Sequence, residues 1–65
     1  MMFYKVYFKH TRTNGAYRYS ETDWTLVESE DREEAIKDAK EWVREYRSRK
    51  GYKSRITILE VRQIA

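Results

Sequence analysis

The chain contains no cysteine and no proline, and only two glycines and one histidine among its 65 residues. Without cysteine it can form neither a disulfide nor a thiolate metal site, which suits a reducing compartment. It also has no glycine- or serine-rich linker, no low-complexity tract and no internal repeat. We therefore predict a single domain spanning residues 1–65.

Long apolar runs are also missing. No segment approaches the ~18 apolar residues of a membrane span. Lys5 interrupts the apolar N-terminal stretch, and no small-residue cleavage site follows it, so the stretch is not interpreted as a signal peptide. We expect a cytoplasmic protein that does not bind membranes. Aromatic residues make up 15% of the chain, which argues against disorder because disordered chains contain few aromatic residues.

Two strands are predicted in the first third of the chain. Residues 3–10 are rich in aromatic and β-branched side chains, with Tyr4, Val6 and Phe8 on one face and lysines on the other. The dipeptide Asn14-Gly15 then predicts a type I′ hairpin turn, because both residues tolerate positive φ. The return strand is expected to begin at residues 16–19.

The register of this hairpin presents a conflict. Strict alternation after the turn places Glu21 and Asp23 on the same face as the apolar residues of the first strand. We therefore expect a bulge or a second turn within residues 20–23. After that irregularity, Trp24 and Leu26 would point into the core, and residues 24–28 would form either the end of the second strand or a short separate strand.

A long helix follows. Asp31 is the predicted N-cap, with Glu34 three residues later as in a capping box, and Ser29 is a rival cap. Acidic residues crowd the first turn and basic residues the last turns, as the helix dipole favours. Gly51 is the expected residue just past the helix end. One apolar stripe recurs at helical spacing: Ala35, Ile36, Ala39, Trp42, Val43 and Tyr46.

The last predicted strand covers residues 55–64 and is apolar on both faces in its middle. The element order is β-β-α-β, which predicts an α+β fold with a mostly antiparallel sheet of order 2-1-3 and one helix packed on one face. The other face of the sheet is then left open. The expected core consists of Val6, Phe8, Ile36, Ala39, Trp42, Val43 and Ile58.

The residues that catalysis or metal binding would need are scarce. His10 is the only histidine, and a lone histidine near a hairpin is expected to be a surface or half-buried side chain. The acidic cluster within residues 28–34 is interpreted as helix capping, because its spacing matches no metal-binding loop. We expect no enzymatic activity, no cofactor and no metal.

Charge is distributed unevenly along the chain. Residues 1–20 contain four bases and no acid, residues 21–34 are acidic, and residues 44–55 are basic again. The basic segments also contain tyrosines, and cations beside aromatic rings are typical of partner-binding surfaces. The candidate binding residues are Lys5, Tyr7, Lys9, Arg18, Arg47, Lys50, Tyr52, Lys53 and Arg55.

These features predict a small binding module, either a protein-binding regulatory or accessory protein or a nucleic-acid-binding protein. For the protein-binding function, the open sheet face and the basic, aromatic surface are the expected contacts. For nucleic acid, the cations at the helix C-terminus would contact phosphates and exposed tyrosines would stack on bases. A homodimer is a further hypothesis, since a small core and an apolar strand edge at residues 56–61 favour self-association.

Overall fold

The computed structural model describes all 65 residues as three strands and one helix. The strands pair antiparallel in the order β2-β1-β3, so β1 is central, and the helix packs against one face. The predicted α+β fold and the predicted strand order are confirmed. The elements are β1 (Met2–Asn14), β2 (Tyr17–Ser29), α1 (Arg32–Arg47) and β3 (Lys53–Gln63).

The two faces of the sheet differ in burial because side chains alternate along each strand. On β1, Tyr4, Val6 and Phe8 lie under the helix and are at most 5% exposed. The intervening residues, such as Lys5 and Lys9, point to the opposite side, where the chain provides no covering element. We call that side the open face. The predicted half-buried character of β1 is confirmed.

The hairpin turn lies one residue later than predicted. Asn14 pairs with Tyr17, so Gly15 and Ala16 form the two-residue loop. Gly15 has φ +60°, and no non-glycine residue has positive φ. This combination indicates a type II′ turn, which needs glycine only at its first central position, rather than type I′.

The predicted irregularity within residues 20–23 is absent. β2 pairs with β1 without a break along its whole length. Glu21 and Asp23 therefore do lie on the helix side, and Trp24 and Leu26 point to the open face instead of into the core. The prediction was wrong because it treated carboxylates on that side as unpaired.

The carboxylates of Glu21 and Asp23 are neutralised by two arginines from other elements. Arg47, in the last turn of α1, reaches Asp23 at 3.0 Å and Glu21 at 3.5 Å. Arg12 of β1 reaches Glu21 at 3.4 Å and donates to the Arg47 carbonyl at 3.0 Å. All four side chains are 20–38% exposed. We call these four residues the ionic cluster, and it joins β1, β2 and the helix C-terminus.

The predicted start of the helix is confirmed, but its predicted end is wrong. Asp31 is the N-cap, and its side chain accepts a hydrogen bond from the Glu34 amide at 2.8 Å, as predicted. The C-cap is Ser48, so Gly51 is not the residue that terminates the helix. Gly51 (φ +86°) instead lies in a turn closed by the Tyr52 amide and the Arg49 carbonyl. That turn leads into β3 and needs a residue with positive φ.

The buried core is smaller than predicted. Its apolar residues are Tyr4, Val6, Phe8, Ala35, Ala39 and Val43. Ile36 and Ile58 are half-buried at its edge. Trp42 is also only half-buried, since it lies on the flank of the helix with its ring 5.7 Å from that of Tyr46. The predicted central role of Trp42 is therefore wrong, because the buried line of the helix runs through Ala35, Ala39 and Val43, and Trp42 lies about 100° around the helix from Val43.

β3 contains a bulge opposite the middle of β1. Tyr7 pairs with Glu60 and Phe8 pairs with Ile58, so Leu59 is the extra residue. The bulge leaves Leu59 54% exposed, while Ile56 and Ile58 remain half-buried. The outer edge of β3 is unpaired. Self-association through this edge stays a prediction.

His10 is fully buried, contrary to the expectation of a surface or half-buried residue. Its Nε2 is hydrogen-bonded to the hydroxyl of Ser54 on β3, and its Nδ1 has no partner. Burial lowers the pKa of His10 below its usual value, and Arg12 and Arg47 lower it further against the opposing effect of Glu21. A neutral ring that donates from Nε2 fits this environment, since a proton on Nδ1 would be unpaired.

We expect Phe8→Ala to unfold the domain. Removing a fully buried Phe costs about 3–5 kcal/mol, which equals the stability expected of a single core this small. Leu26→Ala is the matched control, because Leu26 is 50% exposed and its truncation is expected to cost less than about 1 kcal/mol. Urea denaturation followed by circular dichroism measures both, and an unchanged midpoint for Phe8→Ala would contradict this core.

We expect the free energy of unfolding to decrease as the pH falls from 7.5 to 5.5. The pKa of His10 is lowered in the folded state, so below about pH 6.5 the unfolded chain binds more protons than the folded chain. His10→Gln, whatever its own stability, should lose most of this pH dependence. Denaturation midpoints at three pH values measure it, and a wild-type curve that is flat over this range would refute the assignment.

Candidate functional site

The open face carries a cluster of exposed apolar and aromatic side chains. Trp24 of β2 stands directly opposite Tyr7 of β1, and Leu26 stands opposite Lys5. The bulged Leu59 of β3 lines a shallow depression of about 250 Å³ together with Tyr7 and Trp24. Trp24, Leu26 and Leu59 are each about half exposed. We call the following five residues the apolar patch: Phe3, Tyr7, Trp24, Leu26 and Leu59.

Two cations lie over the rings of the apolar patch. The Lys5 ammonium is 4.2 Å from the centre of the Trp24 ring and 5.3 Å from that of Tyr7. The Arg62 guanidinium lies 5.8 Å from the Tyr7 ring and also pairs with Glu60 at 2.7 Å. Such cation–π contacts hold the two cations at the patch while leaving their charge at the surface.

The half of the open face nearer the hairpin turn is basic and rich in hydroxyl groups. Lys9 lies on β1, Arg18 on β2, and Lys53 and Arg55 on β3, all on the open side by register. Cross-strand hydroxyls separate them, including a Thr11–Ser20 contact of 2.9 Å. No carboxylate points to this half of the face. It therefore presents only positive charge and neutral polar groups.

The open face carries more positive charge than the chain as a whole. The registers place six cations there against two carboxylates, Glu28 and Glu60, which gives a net +4. The whole chain has a net charge of +3, so the remaining surface is slightly acidic. The charge is thus separated across the thickness of the molecule. The six cations are Lys5, Lys9, Arg18, Lys53, Arg55 and Arg62.

The residues predicted from the sequence divide between two surfaces. Arg47 is on the helix side and is engaged in the ionic cluster, Lys50 is exposed beyond the helix end, and Tyr52 lies near the hairpin on the helix side. One ligand on one face cannot contact all the predicted residues, so they do not form one continuous binding surface. The predicted residues that share the open face are Lys5, Tyr7, Lys9, Arg18, Lys53 and Arg55.

Several residues of this surface were missed by sequence reasoning. Trp24 and Leu26 would have been found by following the unbroken alternation of β2 from the hairpin turn. Leu59 is exposed because of a bulge that no local sequence signal reveals. Arg62 was missed for the same reason, because the bulge shifts the alternation of β3 and so places Arg62 on the open face opposite Lys5.

The chain shows no grouping of three or more His, Cys, Asp or Glu side chains that could hold a metal ion. Its single helix lacks the length and apolar character needed to cross a bilayer. No known protein family, curated protein or solved structure matches this chain. The chemistry of the surfaces described above is therefore what indicates a function.

Proposed function

We propose that this chain is a small, non-enzymatic binding module that docks an acidic partner protein on its open face. A regulatory or accessory role, as an inhibitor, an adaptor or a subunit, fits such a module. The observation that carries the proposal is the apolar patch on a face where cations outnumber carboxylates by six to two. Aromatic and arginine side chains at the centre of a patch are the groups that contribute most to protein–protein affinity.

The two leucines favour a protein over other ligands. Leu26 and Leu59 are about half exposed and lie beside Trp24. Aliphatic side chains gain free energy by burial against other apolar groups, whereas a nucleic acid strand offers mainly stacking surfaces and phosphates. A partner with an apolar projection surrounded by carboxylates would complement both the apolar patch and the positive charge of the open face.

The net charge of the open face opposes the alternative of two copies packing face to face. Each copy would bring a net +4 to the interface, and like charges held together in this way are costly.

The area of the open face is sufficient for one protein partner. With overall dimensions of 41 × 17 × 14 Å, it offers on the order of 600–700 Å², close to the ~800 Å² per partner of a typical interface.

We expect a Trp24→Ala/Leu59→Ser variant to lose its partner while remaining folded. Immobilised wild-type protein should capture an acidic protein from a nuclease-treated extract of the native host, and the double variant should not. The control is Tyr46→Ala, which removes an aromatic side chain that is 65% exposed on the helix. Mass spectrometry identifies the captured protein. Equal capture by the wild type and the double variant would contradict the proposal.

Charge-reversal variants test the contribution of the cations on the open face in the same experiment. Lys9→Glu/Arg55→Glu reverses two cations of the open face, while Lys37→Glu reverses an exposed cation on the helix. Complementary charges mainly accelerate association. The purified partner should therefore bind the first variant with a lower association rate and bind the control nearly normally. Light scattering of the free chain across a dilution range shows whether the competing homodimer forms.

Single-stranded nucleic acid is the second candidate function, favoured by the opposed rings of Tyr7 and Trp24 beside the basic half of the open face. Phosphates would contact Lys9, Lys53 and Arg55, and bases would stack on the two rings. This assignment replaces the one made from the sequence, in which Arg47, Lys50 and Tyr52 took part. Those three residues lie away from the open face.

If the chain binds single strands, Tyr7→Ala should weaken binding by about fivefold or more, because stacking contributes roughly 1–3 kcal/mol per base. Affinity should also fall with salt, by a logarithmic slope of about 0.7 for each phosphate contact. Fluorescence anisotropy with labelled oligonucleotides at low salt measures both effects. Binding that responds to Lys9→Glu but not to Tyr7→Ala would indicate a basic surface attracting any polyanion and would exclude this function.

A further inference from the structure

A second surface lies on the opposite side of the molecule, where the hairpin extends past the C-terminus of the helix. Five residues from three segments of the chain line a pocket of about 280 Å³ there. None of them belongs to the open face, and none is a carboxylate. The residues, which we call the tip pocket, are Arg12, Tyr17, Tyr19, Arg49 and Tyr52.

The tip pocket alternates aromatic rings with guanidinium groups. The Arg12 guanidinium lies 5.0 Å from the centre of the Tyr19 ring, and that of Arg49 lies 5.0 Å from the Tyr52 ring. Tyr17 and Tyr52 meet edge to face, with their centres 6.0 Å apart and an interplanar angle of 81°. Tyr17 and Tyr19 are 56% and 45% exposed. They are therefore not core side chains.

The surrounding structure holds these groups in place. Arg12 is fixed by the ionic cluster through the Arg47 carbonyl and Glu21. The turn at Gly51, closed by the Tyr52 amide and the Arg49 carbonyl at 3.0 Å, brings Tyr52 against the hairpin. Arg12 and Tyr52 are thus held in position before a ligand binds, which reduces the entropy cost of binding.

We propose that the tip pocket binds a nucleoside phosphate, either free or at the end of a strand. Guanidinium groups match the geometry and charge of phosphate oxygens. Arg49 forms no ion pair and supplies the free positive charge, while Arg12 lines the same pocket with its charge already paired to Glu21. Tyrosine rings stack on the flat face of a base, and their hydroxyl groups can hydrogen-bond to its polar edge. The volume of the pocket is near the lower limit of small-molecule sites, which suits one nucleotide and not a larger cofactor.

Other anions use less of the pocket. Inorganic phosphate would engage the arginines and leave the three rings without a role. The ring of a phosphotyrosine has an apolar edge, so it would gain nothing from the tyrosine hydroxyls. The proposal is independent of the open face, because it involves a different set of residues on the other side of the sheet.

The experiment is a titration of the intact chain with adenosine 5′-monophosphate, followed by calorimetry and by the aromatic NMR signals of the tyrosines. The nucleotide should bind at least about tenfold more tightly than adenosine or inorganic phosphate, because only it engages both rings and cations. Arg49→Gln should weaken nucleotide binding by about tenfold or more. Arg44→Gln, an exposed helix arginine outside the pocket, and Trp24→Ala should leave it unchanged.

Two further ligands complete the experiment: a dinucleotide identifies the source of the nucleotide, and phosphotyrosine tests the choice of a nucleotide over another aromatic phosphate. A 5′-phosphorylated dinucleotide that binds more tightly than the free nucleotide assigns the pocket to the end of a strand, whereas equal or weaker binding assigns it to the free nucleotide. Phosphotyrosine binding more tightly than the nucleotide would overturn the proposal. So would nucleotide binding no tighter than inorganic phosphate, or an equal loss of affinity in Arg49→Gln and Arg44→Gln.

Discussion

The ionic cluster determines which side chains this small protein buries and which it exposes. Because Arg12 and Arg47 neutralise Glu21 and Asp23 on the helix side, β2 can keep one register along its whole length. Continuous alternation then sends every other residue of β2, including Trp24, to the open face. The exposed apolar patch is therefore a direct consequence of charge pairing on the far side of the same strand.

Much of the fold could be predicted from local patterns. The helix start followed from Asp31 and Glu34, and the strand order followed from the alternation of β1 and the few connections open to a β-β-α-β chain. The register of β2 could not be predicted so directly. Its two inward carboxylates are stabilised by Arg47, which is more than twenty residues away in sequence and approaches only once the helix has packed.

The candidate surfaces, like the fold, could be predicted only where they follow from local sequence patterns. Alternation correctly placed Lys5, Tyr7 and Lys9 together on one side of β1. The bulge that exposes Leu59 depends on how β3 pairs with β1, and the tip pocket depends on three segments meeting beyond the helix end. Neither can be read from residue spacing, because each arises from the relative lengths and offsets of the packed elements.

The two strands of the hairpin are much longer than the helix that covers the sheet. A strand of 13 residues extends about 43 Å, whereas a helix of 16 residues extends only about 24 Å. The hairpin therefore projects well beyond the layer that covers the rest of the sheet, and residues 14–20 are exposed on both sides. Backbone amides near the turn should exchange with solvent through local opening, while those at Val6 and Phe8 exchange only when the whole domain unfolds.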